Sequence, residues 1–279
     1  MTTDKPTMAP IDTVREEDEI EEIGPPPRQR SLLWYRLASI VIVIGGWEIL
    51  GHNINPLFLA PPSAILLAAY EMTLSGQLPT ALLESLMTLL VGFSLAAVVG
   101  TALGLLIGRY KPVEASLDWI VNALYATPFV AIVPLVIIWF GLGFAAKLFI
   151  VFKIVVFTVM INTAAGVRNV PEPLIQLGKS FGATERQIFT KIIFPSALPF
   201  MATGLRLGIG RALIGMVVAE FYTAITGLGA LIVTYGNQFE VAKMFVPILV
   251  LMLMGIGLSA GVRKLEESVA PWKKAHQHN

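Results

Sequence analysis

Five charged residues interrupt otherwise apolar stretches of the chain: Glu48, Lys153, Arg206, Arg211 and Glu220. A charge at membrane depth costs about 2.5–3.5 kcal/mol on insertion scales, so each needs a partner, a watery cavity or a ligand. Arg206 and Arg211 fall about 16 and 24 Å beyond Pro195 at the rise of a helix. Five residues apart, they are about 140° apart on the wheel and cannot line one stripe. A cationic side chain facing a cavity would hold an anion, and Lys153, about 9 Å into its apolar stretch, is a third candidate for that chemistry. The alternative is that the arginines snorkel, or pair with Glu220 or with backbone carbonyls. Glu48 follows Trp47 near the end of an apolar stretch, where an interfacial position is expected. Covalent chemistry has little to work with: the chain has no cysteine and three histidines, two of them in His276-Gln277-His278. That excludes disulfides, Cys-ligated zinc and Cys nucleophiles, and leaves no catalytic constellation inside the apolar stretches.

The elements that must position these charges are membrane helices. Of 279 residues, 55% are hydrophobic and 14% charged, and the mean hydropathy is +0.73; soluble domains carry about 25% charged residues. A net charge of +1 gives no basic field for nucleic acid. Six stretches reach the roughly 17–25 apolar residues that a span needs: 34–50, 85–107, 119–140, 145–167, 197–218 and 244–262. Eight of the 19 acidic residues fall in the first 22 positions, and Pro25-Pro26-Pro27 comes next. Residues 1–30 therefore read as a disordered acidic cytoplasmic tail, not a signal peptide, ahead of a membrane domain over 31–279. Lys and Arg alternate between connections: Arg28, Arg30 and Arg36 before the first span, none in 52–83, Arg109 and Lys111, Lys147 alone, Arg168, Lys179, Arg186 and Lys191, Lys243 alone, then Arg263, Lys264, Lys273 and Lys274. This pattern predicts six spans with both termini in the cytoplasm. In the external 52–83 segment, Ala60-Pro61-Pro62-Ser63 predicts a short interfacial helix capped by Ser63. Residues 226–240 suggest another short external helix or a re-entrant turn.

Two spans carry packing signals. Gly92, Ala96, Gly100, Gly104 and Gly108, each four residues apart, form a stripe of small residues for close helix approach, inside a tight bundle or at a homodimer seam. Gly257 and Gly261 repeat the idea in the last span. Pro128 and Pro134 remove backbone hydrogen bonds from the third span, predicting a kink or a break of the kind that lines a watery path.

The longest cytoplasmic connection, 169–195, has the most specific local code. Pro171 and Pro173 suit a helix start, Gly182 an αL position that ends it, and Thr184 with Gln187 a capping box for a second short helix. Ile188, Ile192 and Ile193 give that helix an apolar side, and Pro195 is expected to stop it. A helix–glycine–helix elbow presents a rigid knob to a partner; an ordinary amphipathic interfacial helix is the alternative. Gly178-Lys179-Ser180 is not a P-loop, because the pattern needs a glycine where Pro173 stands. The chain has no recognisable ATP site.

This connection resembles the cytoplasmic "EAA" loop of permease subunits in bacterial binding-protein-dependent ABC importers. Gly182 matches the glycine of that pattern, and Ile192 and Pro195 match its isoleucine and proline at the required spacing; Gln176-Leu177-Gly178 replaces E-A-A and Phe194 the leucine. Further stretches are similar to the nitrate/sulfonate/taurine-type permeases: Ala60-Pro61-Pro62-Ser63, Ser85 through Gly92-Phe93, 133–143 (VPLVIIWFGLG), Asn162-Thr163, Gly204-Leu205-Arg206, Ala219-Glu220, Gly227-Leu228-Gly229 and Pro271-Trp272. The resemblance runs from about residue 34 to 273. It implies an all-α membrane protein of six transmembrane helices with the type I ABC importer permease fold, in the bacterial inner membrane. It also implies assembly with a second copy or a related permease, two ATPase subunits that bind ATP and magnesium, and an external solute-binding protein. No cofactor or metal belongs to this chain itself, and it is not an enzyme. In the family the second elbow helix, here about 181–188, is the coupling helix, so Gln176, Ser180, Phe181, Gly182, Ala183, Thr184, Glu185, Arg186 and Ile188 are the expected ATPase contacts. Lys153, Asn162, Arg206, Arg211 and Glu220 are the candidates for the solute path, and transport would proceed by rigid-body alternating access.

Other classes fit less well. An ion-coupled transporter would offer an inverted repeat or carboxylates buried mid-membrane, and a scaffold would not predict the glycine elbow. The resemblance suggests a small organic or inorganic anion, such as a sulfonate, nitrate or aromatic acid, as the solute.

Overall fold

Apolar stretches with few breakers fold as long helices, and the prolines and glycines between them set the turns. The computed structural model describes residues 29–223 and 225–269, with side chains given within 34–264. The acidic tail before residue 29, Pro271-Trp272 and the last lysines lie outside the described residues. By packing, the chain divides into residues 1–45 and 46–279, and α1 (Gln29–Asn53) crosses that division. After it come α2 (Pro62–Leu74), α3 (Gln77–Arg109), α4 (Lys111–Ala126), α5 (Phe129–Phe140), α6 (Phe144–Arg168), α7 (Glu172–Ser180), α8 (Glu185–Ile188), α9 (Phe194–Thr223), α10 (Leu228–Asn237) and α11 (Val241–Val269), and no strand occurs among the described residues. The architecture is all-α and multi-pass.

The central packing is α6 between α3 and α9. Gly92, Gly100, Gly104 and Gly108 of α3 lie directly on α6: a methyl group added to them would come within 2.6–2.8 Å of Val151, the Val156 carbonyl, the Met160 carbonyl with Thr163, and Val167 respectively. Ala96 is fully buried in the same cluster. The partners climb in step with the glycines, so α3 and α6 run parallel over about 24 Å at 1.5 Å per residue. Small residues permit this approach because membrane helices associate by close packing. On the other side of α6, Gly204 meets Asn162, Gly208 meets Val155 and Gly215 meets Ile154, an antiparallel register. A methyl group added to Gly257 or Gly261 of α11 would meet nothing within 4 Å among the described residues.

Parallel α3 and α6 require a return crossing between them. The third predicted span supplies it, but not as one kinked helix: α4 and α5 meet at 95° across Thr127-Pro128. Pro128 takes the N-cap of α5, whereas Pro134 is accommodated inside it. Among the described residues, five helices are long and apolar enough to cross a membrane, six with the bent pair as one span. The second span is longer than the apolar run suggests, starting at Gln77.

At one end of the bundle α2 and α10 pack together with the first turns of α3 and α11, burying Ile65, Ala68, Met72, Leu228, Tyr235 and Val246. Helix α2 forms where expected, but Ser63 does not cap it. Its N-cap is Pro61, without a side-chain bond. Instead the Ser63 backbone N–H and hydroxyl donate to the Glu48 carboxylate at 3.0 and 2.6 Å, and Trp47 Nε1 donates to the Ala60 carbonyl at 3.0 Å. Glu48 is thus the distant acceptor for the orphan amides at the start of α2. Residues 226–240 form the short α10, not a further span.

Candidate functional site

Breaking α4 from α5 at Pro128 leaves the Thr127 carbonyl without a helical donor. Lys153 Nζ of α6 lies 3.3 Å from that oxygen. Two residues earlier, the Tyr125 hydroxyl is 2.8 Å from Arg211 Nη2 of α9, and the Arg211 guanidinium stands 5.2 Å from the Tyr125 ring centroid. Cations from two helices therefore converge on one break, both half-buried. Arg206 points elsewhere, as its angle from Arg211 requires. It lines an open groove of about 690 Å³ between α9 and α11, together with Leu213, Gly255, Ser259 and Arg263. Asn162 is a packing residue: its amide donates to the Thr158 carbonyl at 2.8 Å and its Cβ faces Gly204.

Glu220 is placed at the start of α10, among hydrogen-bond donors. It is fully buried and accepts from the Ser85 hydroxyl at 2.8 and 3.0 Å and from the Gly229 N–H at 2.8 Å. Ser85 in turn accepts from the Leu228 N–H at 2.9 Å. The two side chains satisfy the first amides of α10, where the helix dipole also favours a carboxylate. Gly227 has φ +100° and any side chain there would overlap the carboxylate, so the tight turn and the buried acid require each other. Lys147, also buried, donates to the carbonyl and hydroxyl of Thr226 at 2.6 and 2.7 Å. The donors on Glu220 are thus Ser85 and Gly229, in place of the arginine partner that the sequence allows. Ser85 and Lys147 escape a sequence reading, although a lone Lys147 in an otherwise cation-free connection and a lone Glu220 in a span are a mutual signal.

The elbow forms at the far end of α9. Helix α7 starts at Pro171-Glu172 and ends at Phe181. Gly182 adopts φ +72°, and Thr184 and Gln187 close a reciprocal capping box on α8. Pro195 does not end the helix that α8 begins. Residues Phe189–Ile193 make a π turn that runs into α9, giving a continuous helical run Glu185–Thr223. Pro195 is tolerated because it sits at the second position of α9, immediately after the widened turn, near where its missing N–H is least costly. The second elbow helix therefore begins at Glu185, and Phe181 caps α7 instead of belonging to it. Gln176, Ser180, Phe181, Gly182, Thr184, Glu185 and Arg186 are exposed and Ala183 is half-buried. Ile188 is 1% exposed and packs with Val167, Val170, Ile193 and Ala197, which holds the elbow down. The outward apolar edge is on α7: Leu174, Leu177 and, at 82% exposed, Phe181. Glu185 pairs with Arg109 at the end of α3, while Arg168 at the end of α6 bonds Glu114 at 3.0 Å and Asp118 at 2.9 Å.

Residues 100–271 match the family described as the inner membrane component of binding-protein-dependent transport systems. The chain belongs to that family. It is 34% identical to a putative ABC transporter permease of Methanocaldococcus jannaschii over 85% of this chain and 91% of the relative. It is 30% identical to a putative aliphatic sulfonates transport permease of Bacillus subtilis over 92% and 94%. A chain of the MetNI methionine ABC transporter, solved in inward-facing form, superposes with a TM-score of 0.58 at 19% identity, covering 67% of this chain and 93% of that one. This permease has the type I ABC importer fold. It is a multi-pass inner-membrane transport subunit and not an enzyme. It works with an ATPase and a solute-binding protein, and hydrolysis of ATP belongs to the separate ATPase.

Proposed function

We propose that two copies of this permease pair with two ATPase subunits to import a small anion, with both termini in the cytoplasm. The observation that carries the anion is the convergence of Lys153 and Arg211 on the Thr127-Pro128 break. A broken helix exposes backbone groups that want a polar cavity, and two half-buried cations beside it give an anion a favourable stopping point. The sulfonate permease among the relatives supports the same solute class. Arg206 lies on another face of α9, along the groove shared with α11. On the cytoplasmic side, the apolar edge Leu174, Leu177 and Phe181, held by the Gly182 turn, is the surface offered to the ATPase. The acidic segment 1–30 is assigned no part in transport.

Uptake by proteoliposomes holding the assembled complex tests the solute class, with taurine, an alkanesulfonate, nitrate and benzoate as probes. Lys153→Ala and Arg211→Ala are each expected to cut anion uptake at least tenfold while the ATPase still co-purifies. Unaltered uptake in both variants would overturn the assignment of the break as the anion site. Phe181→Asp is expected to release the ATPase from the complex, and retention of the ATPase would remove the α7 edge from the interface.

A further inference from the structure

Glu220 stands three residues before the end of α9, and the same helical run begins at the elbow with Glu185. At 1.5 Å per residue that run is about 58 Å long, enough to reach from one side of a membrane to the other. Its two ends differ in how they are held. The elbow end is exposed and rests on one ion pair and a small apolar cluster. The Glu220 end is fully buried and closed into a ring: Ser85 of α3 donates to Glu220, Glu220 accepts from Gly229, and Leu228 donates back to Ser85. Lys147 of α6 fixes the adjacent Thr226. Three elements, α3, α9 and the start of α10, thus meet on one carboxylate, and α6 holds the turn beside it. Helices α10 and α2 both pack on α11 and α3, and α2 itself is held by Glu48. Each of these two short helices has one amide of its first turn tied to a glutamate of a long helix, Ser63 to Glu48 and Gly229 to Glu220.

We propose that the Ser85–Glu220–Leu228/Gly229 ring is the joint through which the α2–α10 cap drives α9, with Glu220 as a positioning residue for transport. The chemistry of transport needs no buried acid here, and a fold-stabilising contact alone would not need one residue to bond the cap, α3 and the last turn of the elbow-bearing helix together. A displacement of the cap is passed to α9 because the ring leaves no freedom at Gly227, and α9 carries it to the elbow. This inference rests on the importer reading, in which the solute-binding protein docks at the cap end.

The test uses the full complex in nanodiscs, with basal ATP hydrolysis and hydrolysis in the presence of the binding protein as purified from its own host. Glu220→Gln keeps the shape but removes the charge and one of the two acceptor oxygens, so that Ser85 and Gly229 must share the oxygen that remains, and Ser85→Ala removes one hydroxyl without adding bulk. Both complexes are expected to assemble, to keep basal hydrolysis within twofold of wild type, and to lose at least fivefold of the stimulation by the binding protein. The double variant is expected to be no worse than either single one, because both break the same ring. Ser85→Thr, which restores a hydroxyl, is expected to recover part of the stimulation. Wild-type stimulation in the assembled variants would overturn the proposal. So would a parallel fall of basal and stimulated rates together with the melting temperature, which is the signature of lost stability alone. If the wild-type complex is itself not stimulated, the importer reading fails first and the joint falls with it.

Discussion

Thr163 Oγ1 is buried without a hydrogen-bond partner among the described residues, on the face of α6 that meets Gly104. Leaving a buried hydroxyl unsatisfied costs about 1–3 kcal/mol, whereas replacing it by a methyl of the same shape removes the penalty. Thr163→Val is therefore expected to raise the melting temperature of the purified permease, by the equivalent of about 1 kcal/mol, measured by intrinsic fluorescence in detergent. A lower melting temperature would mean that the hydroxyl is satisfied in solution. Single residues are the least legible level of the sequence. The position of Glu48 beside Trp47 points to an interface, yet its carboxylate holds Ser63. Glu220 reads as a path candidate, yet it is sealed by Ser85, 135 positions away. No local spacing encodes such a pair. What the chain does show is scarcity: an isolated acid in a span and an isolated Lys147 mark charges that must be settled by something distant.

Elements are legible wherever one physical rule dominates. The four-residue glycine spacing describes a surface that admits another backbone, and its partner is α6 of the same chain. Gly104→Ala places a methyl 2.6 Å from the Met160 carbonyl and the Thr163 Cβ. Overpacking of that kind costs about 1–3 kcal/mol, so this variant is expected to melt lower and to express less. Gly257→Ala meets nothing within 4 Å and is expected to be neutral or to gain up to about 1 kcal/mol of helix propensity. Equal melting temperatures for the two variants would contradict the tight α3–α6 seam. The elbow separates in the same way. Gly182 has open space around it, so its constraint is the positive φ alone. Gly182→Asn, which tolerates αL, should keep the ATPase bound, while Gly182→Val should lose it. Co-purification of the ATPase with each variant decides this. Pro195 does not act as a stop because the π turn ahead of it shifts the hydrogen-bond register, a tertiary device with no residue signature in 189–193. The break at Pro128 is within reach of the same rule that marks any proline in a span, but its 95° angle is not encoded by the proline alone.

At the scale of the molecule, the distribution of charge and the order of the helices argue for one orientation. Arg109, Glu185, Arg168, Glu114 and Asp118 form ion pairs at a single end of the bundle, where Lys111, Lys179, Arg186 and Lys191 also fall in the sequence. The other end carries α2 and α10, joined by connections nearly free of Lys and Arg. Cytoplasmic segments hold the excess of cations, so the elbow end is expected inside and the cap end outside. Parallel α3 and α6 enforce the alternation, since α4 and α5 must bring the chain back between them. The absence of cysteine from the sequence makes the test clean. Thr73→Cys on the exposed side of α2 and Ser180→Cys on the exposed end of α7 each introduce a single thiol at a position that is solvent-exposed. With a membrane-impermeant maleimide on intact spheroplasts, Thr73→Cys is expected to label at once and Ser180→Cys only after permeabilisation. The reverse pattern would invert the whole bundle, putting the elbow on the side of the solute-binding protein and out of reach of any ATPase. Labelling of both thiols from outside would instead mean an even number of crossings between α2 and the elbow, which would contradict the parallel run of α3 and α6.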